Sequence, residues 1–248
     1  MVFFGHARTS TDKPNDCMIT VILSVFNEAN NPYLAKILAQ FKADDFFELI
    51  CIDGGSTDGT LTYLKQEKID VQVLPGSTRA ARLNYGLVHA RASVVLLQHP
   101  RSLIADSGLL LLKENYKTLT WAAFTHQFDV SHFFLKFISW YSNTVRVKKK
   151  GIVYLDHCMV INKVALAVKA IPDMAIFEDT ALSHDLRSQI HPILLPDIAM
   201  TSAIRFLNRG IYKHFLLNQW IKCLYRLKIN TQWINYLYER KINLNQNN

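Results

Sequence analysis

Asp53-Gly54-Gly55-Ser56-Thr57-Asp58-Gly59-Thr60 cuts off the apolar run Glu48-Leu49-Ile50-Cys51-Ile52, and the reading of that junction decides the fold. A β-rich run that stops at paired glycines predicts a strand ending in a tight turn, with Thr57 or Asp58 capping a helix that carries Leu61 and Leu64. The same unit recurs on both sides. Upstream, Ile19-Thr20-Val21-Ile22-Leu23-Ser24-Val25 reads as a strand, and Leu34, Ile37, Leu38 and Phe41 follow at helical spacing. Downstream, Val71-Gln72-Val73-Leu74 is broken by Pro75-Gly76, after which Ser77 or Thr78 can cap a helix burying Leu83 and Leu87. Val94-Val95-Leu96-Leu97 then runs to a stop at Pro100. Four strands with a helix between each pair predict an α/β, Rossmann-like unit, a parallel sheet covered on both faces.

The chain's 248 residues, half of them apolar, suffice for one large α/β domain or two small ones. With 11% aromatics, 9 Gly and 7 Pro, disordered and collagen-like readings fail. No run of 18 apolar residues exists, so no membrane span is expected, and the first 16 residues lack the basic and apolar regions of a signal peptide. Four scattered cysteines without a C-x-x-C pair fit a reducing, cytoplasmic setting. The charge is uneven. From Thr201 onward there are eight Lys/Arg and one acid, which places +7 of the net +8 in the last 48 residues. A pI near 9.3 raises the question of nucleic acid, yet no nucleic-acid motif is present and the tail's charges are spaced like a helix face, so no nucleic acid is expected. The G-x-G-x-x-G fingerprint of a dehydrogenase is missing after the first strand.

Ligands of open parallel sheets sit beyond the carboxyl ends of the strands. Here those ends are Phe26-Asn27-Glu28, Asp53-Gly54-Gly55-Ser56, the turn from Gly76 to Arg82, and Gln98-His99-Pro100-Arg101. Two carboxylates and three arginines (Arg79, Arg82, Arg101) lie among them, a mixture suited to a nucleotide with its phosphates. Asp53 can accept a hydrogen bond from a base or a ribose hydroxyl, although an Asp/Gly turn before a capped helix needs no ligand.

Taken together, Ser24-Val25-Phe26-Asn27-Glu28 and Asp53-Gly54-Gly55-Ser56-Thr57-Asp58-Gly59-Thr60 resemble the start of the family 2 glycosyltransferases, which have the GT-A fold. Arg79-Ala80-Ala81-Arg82-Leu83-Asn84-Tyr85-Gly86 is similar to that family's Arg-Ala-Ala-x-x-Asn-x-Gly segment, and Phe177-Glu178-Asp179 to its Glu-Asp motif. Ser202-Ala203-Ile204-Arg205 with Arg209-Gly210 looks like the closing Arg-rich stretch of a small bacterial branch. The resemblance implies a mostly parallel sheet with helices on both faces plus C-terminal helices. It implies inverting transfer of a sugar from a nucleotide-diphosphate sugar to a hydroxyl acceptor, a glycan or a lipid-linked molecule, in cell envelope polysaccharide synthesis. Val25, Asn27, Glu28, Asp53 and Gly54 would hold the nucleotide, with Arg79, Arg82 and Asn84 near the donor's sugar or phosphates. Asp179 would be the general base, with Glu178 beside it. A positioned carboxylate can take the proton of an acceptor hydroxyl as the new C–O bond forms, while acids in a helix's first turn also answer to the helix dipole alone.

The sequence departs from the family after the fourth strand. An Asp-x-Asp-like motif, or His-Ala-Asp in this branch, ends in an Asp that binds a divalent metal, and here His99-Pro100-Arg101 stands instead. Arg101 repels a cation but forks well onto phosphate oxygens. Two readings follow: Arg101 takes the metal's place, with His99 near the diphosphate, or the chain binds a nucleotide sugar without catalysis. No metal site is assigned, and Mg or Mn stays open as a cofactor against the argument from Arg101.

Trp121-Ala122-Ala123-Phe124 and His157-Cys158-Met159-Val160-Ile161 look like further strands, and Asp156, before the second, stands with Arg205 for the acceptor region. Phe133, Phe134, Phe137, Trp140 and Tyr141 repeat at helical spacing and lead into Arg146 and Lys148 to Lys150. Along 211–228, Leu216, Trp220, Leu224 and Leu227 share one face, with Lys213, Lys222 and Arg226 on the other. Such stripes belong either to the core or to an anionic membrane surface on which the protein is peripheral. The expected organisation is a flexible segment over 1–16, a GT-A domain over 17–202 and a basic helical extension over 203–248, frayed from Asn243 on.

Overall fold

The computed structural model describes residues 17–240; the expectations for 1–16 and for Asn243 to Asn248 lie outside the described residues. Strand β1 (Ile19–Val25) is buried along its whole length, as a central parallel strand must be. Its odd-numbered residues enter a core under α1 (Leu34–Lys42), while Ile22 points to the opposite core. Helix α1 buries the four residues whose spacing predicts it, Leu34, Ile37, Leu38 and Phe41. The remaining alternation is β2 (Phe47–Asp53), α2 (Thr60–Gln66), β3 (Val71–Val73), α3 (Arg79–His89) and β4 (Val94–Gln98). Thr78 caps α3 by accepting from the Ala81 N–H at 3.0 Å. The cap of α2 falls differently from the expected Thr57 or Asp58. Gly59 takes that place with φ +97°, and Asp58 accepts from the Thr60 N–H at 3.0 Å from just outside the helix.

Beyond β4 come β5 (Ser102–Ile104), α4 (Asp106–Asn115), β6 (Trp121–Phe128), α5 (Phe133–Trp140), a π-helical segment (Tyr141–Lys149) and a 3₁₀ turn (Leu155–His157). They are followed by β7 (Met159–Asn162), α6 (Glu178–Leu186), β8 (Ile193–Thr201), α7 (Ile204–Arg209), α8 (Ile211–Arg226) and α9 (Thr231–Arg240). The eight strands form one sheet in the order β3-β2-β1-β4-β7-β6-β8-β5. Pairing is parallel from β3 through β4 and between β6 and β8; β7 and β5 pair antiparallel with their neighbours, so the sheet is mixed but mostly parallel.

Register positions the site. Val25 is level with Asp53, Asp53 with Val73, and Leu23 with Gln98. The segments after these four strands therefore emerge on a single edge of the sheet. Gly86 holds α3 close to it: a Cβ there would run into the Ile22 side chain of β1. Gly86→Ala should thus lower stability by about 1–3 kcal/mol, the cost of overpacking, where an open helix position would gain from alanine. Urea denaturation checks the sign, and in an Ile22→Ala background, itself destabilised by the lost core side chain, the further cost of Gly86→Ala should shrink or vanish.

Candidate active site

The edge where the strands end opens into a cavity of about 770 Å³, within the range of small-molecule sites. Asp53 is not on its wall. Fully buried, its Oδ1 accepts from the N–H groups of Gly55 (2.8 Å) and Ser56 (2.7 Å), and its Oδ2 accepts from Ser56 Oγ (2.5 Å). The carboxylate shapes the glycine turn from within. Asn27, at φ +51°, ties the neighbouring loop to that turn: its Oδ1 accepts from Thr57 N–H at 2.9 Å, and its own N–H donates to Ser56 Oγ at 2.8 Å. Val25 is buried in the core and reaches the turn through its carbonyl, which accepts from Gly54 N–H at 3.0 Å. Gly54 does face the cavity, and a Cβ on it would strike the Arg82 guanidinium.

Arg82 is anchored by Ser24 Oγ (2.7 Å) and the Ser77 carbonyl (2.6 Å), and burial followed by neighbouring Arg79 pulls it down to about 10. Asn84, expected near the donor, is spent elsewhere. It exchanges two hydrogen bonds with the Ile171 backbone at 2.7 and 2.8 Å and so pins α3 to the loop before α6.

Glu28 and Arg101 form a buried ion pair, Nε to Oε2 at 2.7 Å, with side chains 6% and 8% exposed. Arg101 also lines the cavity, as do His99, Arg79 and Arg205. Burial and then the arginines around it push His99 down to about 3, so its imidazole is neutral. Its Nδ1 accepts from the Arg101 N–H at 3.2 Å.

On α6, Phe177 takes φ +69°, an uncommon conformation for a bulky side chain, and turns the chain so that Glu178 and Asp179 open the helix. Glu178 lies 1% exposed behind the wall, with Oε1 paired to Arg79 Nε. Asp179 faces the cavity. Its Oδ1 accepts from Thr180 N–H at 2.6 Å, its Oδ2 from Leu155 N–H at 3.2 Å, and Arg79 Nη2 stands 3.9 Å from Oδ2. Burial and then Glu178 raise Asp179 to about 6, against the pull of Arg79. Removing that pull should move the titration upward. In Arg79→Met the acid limb of any Asp179-dependent rate should shift to higher pH by about one unit for each 1.4 kcal/mol of lost attraction, which a normalised pH–rate profile would read.

Asp156 borders the same cavity, its Oδ2 at 3.6 Å from His126 Nε2. Burial works against its ionisation, but His126, His157 and Arg146 hold it down near 2. The C-terminal helices complete the wall. Arg205 on α7, His214, Asn218 and Lys222 on α8, and Tyr238 on α9 all line it, and Arg205 Nη1 donates to Tyr238 Oη at 3.5 Å. The faces of α8 differ from those expected. His214, Leu217 and Ile221 are the buried side, Leu216 (64%) and Trp220 (42%) are exposed, and Lys222 turns inward. The aromatic stripe of α5 is likewise outside the core, with Phe133 82% and Trp140 54% exposed.

The sequence profile described as Glycosyl transferase family 2 matches residues 20–100. That stretch holds β1 through β4 and the turns that border the cavity. Over residues 20–100 the chain is similar to glycosyl transferase family 2, and the chain carries the GT-A fold. Staphylococcus aureus TarS has the same fold at 14% identity, over 75% of this chain and 37% of that one, with a TM-score of 0.55. The mannosyltransferase PcManGT from Pyrobaculum calidifontis, solved with GDP-Man and Mn²⁺, is 17% identical over 80% and 63% of the two chains, at 0.55. Glucosyl-3-phosphoglycerate synthase from Mycobacterium tuberculosis, solved with Mn²⁺, UDP and glucosyl-3-phosphoglycerate, is 12% identical over 75% and 71%, also at 0.55. The chain thus spans well under two thirds of TarS. No curated protein matches it by sequence.

At His99-Pro100-Arg101 the residues do not suit a divalent cation of the kind seen in two of those structures. Arg101, Arg79 and Arg205 surround neutral His99, Glu28 is paired, and Asp53 is bound within its turn. Among the described residues no group of three His, Cys, Asp or Glu side chains could hold a metal by itself.

Proposed function

We propose that the chain is an inverting glycosyltransferase that moves a hexose from a nucleoside-diphosphate sugar to a hydroxyl acceptor. Asp179 carries the reading: a carboxylate poised near 6, open to the same cavity as four arginines. In this reaction the acceptor oxygen attacks the anomeric carbon in line as Asp179 takes its proton. The bond to the diphosphate breaks, and the nucleoside diphosphate leaves with the electron pair. Arg101 and Arg205 neutralise its charge where the family uses a metal, since guanidinium pairs well with phosphate oxygens. Nucleotide complexes of proteins with the same fold, containing UDP-GlcNAc and GDP-Man, support this class of donor. On this reading 17–202 is the transferase domain, and 203–248 is an extension whose cavity-facing side chains complete it.

The acceptor is lipid-linked or a glycan of the cell envelope, met at the cytoplasmic face of a membrane. Support comes from the exposed strip of Phe133, Phe137 and Trp140 on α5 with Tyr212, Leu216 and Trp220 on α8, the two helices meeting where Phe134 packs on Tyr212 at 4.9 Å. Exposed Lys136, Lys148, Lys149, Lys150 and Lys213 accompany it, a composition suited to an anionic lipid surface. No helix among the described residues is long and apolar enough to cross a membrane. Co-sedimentation with phosphatidylglycerol vesicles at low salt, lost in Phe133→Ser/Trp140→Ser, is the expected result; no sedimentation would remove the membrane from the account. The transfer reading is tested by incubating the chain with a panel of nucleotide sugars and surrogate alcohols. Release of nucleoside diphosphate from at least one donor supports it, and donor binding without release would establish the binding-only alternative.

A further inference from the structure

The cavity has a cation that donor binding does not account for. Lys222 projects from α8 into it, half-buried, with Nζ 5.6 Å from the centre of the Tyr154 ring. The Arg146 guanidinium lies on that ring at 3.9 Å and donates to Ser142 Oγ at 3.0 Å, so the Tyr154 platform is held firmly. Tyr154 leads directly into the turn that carries Asp156 and the Leu155 N–H bonded to Asp179. Lys222 therefore belongs with the two carboxylates proposed for the acceptor. Among the described residues, however, it makes no ion pair or hydrogen bond with either of them. Burial, with Arg146 nearby, draws it down to about 7 against the opposite pull of Asp156 and Asp179. An ammonium kept in such surroundings without a partner is costly unless an anion arrives to pair with it.

We infer that Lys222, seated on Tyr154, is an acceptor-recognition residue that binds an anionic group, a phosphate or carboxylate, carried by the acceptor beside its reacting hydroxyl. The inference rests on the transferase reading for the word acceptor, but its chemistry can be measured separately. Donor phosphates are served by Arg101 and Arg205, which lie with Glu28 and Tyr238 rather than with Lys222. A neutral glycan would leave the ammonium unpaired, so the acceptors this site prefers are sugar phosphates, phosphate-linked lipids or acidic sugars.

The test is a titration of the full chain, carrying ¹³Cε-lysine, with inorganic phosphate, repeated with saturating nucleoside diphosphate. The Lys222 resonance is assigned from Lys222→Arg. The expected result is a Lys222 shift that survives nucleoside diphosphate, with phosphate binding weakened about tenfold or more in Lys222→Met and kept in Lys222→Arg. A tenfold change corresponds to a single good charged contact. Nucleoside diphosphate binding should match wild type in both variants, which also shows that they fold. Equal phosphate binding in wild type and Lys222→Met, absence of phosphate binding in wild type, or loss of the Lys222 response once nucleoside diphosphate is bound would each overturn the inference. If no nucleoside diphosphate binds at all, the transferase reading fails, while the phosphate response at Lys222 still decides the anion site. Glycerol 3-phosphate and phosphatidic acid vesicles then distinguish a soluble from a lipid source: Lys222-dependent capture by the vesicles assigns the lipid, and its absence beside glycerol 3-phosphate binding assigns the soluble phosphate.

Discussion

Asp179→Asn should lower the transfer rate by about 10²–10⁴-fold, the usual worth of a positioned general base, while nucleoside diphosphate binding stays near the wild-type level. The amide keeps one oxygen, which can accept from the Leu155 or the Thr180 N–H group but not from both, and it cannot take a proton from a hydroxyl. In the wild type the rate should fall as pH drops through about 6, because protonated Asp179 has no lone charge to offer. Stability should move the other way. A carboxyl whose folded pKa lies above its ordinary value is favoured in its protonated form by folding, so its contribution weakens the fold as pH rises from about 4 to 6 and stays unfavourable above that. Asn removes this cost but leaves one of the two N–H groups facing its NH2, so Tm at pH 7 should change little in the variant that loses activity. A collapse of Tm together with loss of nucleoside diphosphate binding would instead make Asp179 a structural residue.

The second large effect is expected at the Glu28–Arg101 pair. Arg101→Met leaves Glu28 as a buried carboxylate without its cation, which typically costs about 3–5 kcal/mol. For a domain of this size each kcal/mol is worth about 2–4 °C, so Tm should drop by roughly 6–20 °C. Glu28→Gln/Arg101→Met removes both charges and should recover most of that stability, since a buried pair replaced as a unit is often close to neutral. It should not recover donor affinity if Arg101 faces the diphosphate. Thermal melts of the three proteins, with and without nucleoside diphosphate, separate the structural share of Arg101 from its share in binding.

The strands and helices from Ile19 to Gln98 are legible in the sequence because each strand is a short apolar run that gives way to a turn-forming segment carrying Asn27, Gly54-Gly55, Pro75-Gly76 or Pro100. Strand β8 is not. Pro196 and Asp197 interrupt it, and the sheet accommodates them as a bulge, with Leu195 opposite Phe124 and Ile198 opposite the next residue, Thr125. Strand β5 is as short as β3 but has neither its alternating valines nor a Pro-Gly pair close behind it. At the site, charged residues in motifs were readable as a set, but the motif does not say which of them face the ligand. Asp53, Asn27 and Asn84 spend their polar atoms holding turns in place, a division of labour that depends on backbone N–H directions. The inward turn of Lys222 was hidden for a different reason. Helix α8 has apolar or aromatic residues on several sides, so two rotations of it bury a comparable stripe, and packing against Phe177 and Tyr238 selects the one with Leu217 and Ile221 inside.

On the transferase reading, arginines rather than a metal hold the diphosphate of the donor in this cavity. Calorimetric titration of wild type with nucleoside diphosphates, in EDTA and again in Mn²⁺, tests it directly. At least one nucleoside diphosphate should bind in EDTA, with affinity little changed by Mn²⁺ and weakened in Arg205→Met. Binding that appears only with Mn²⁺, or no binding under either condition, would contradict it.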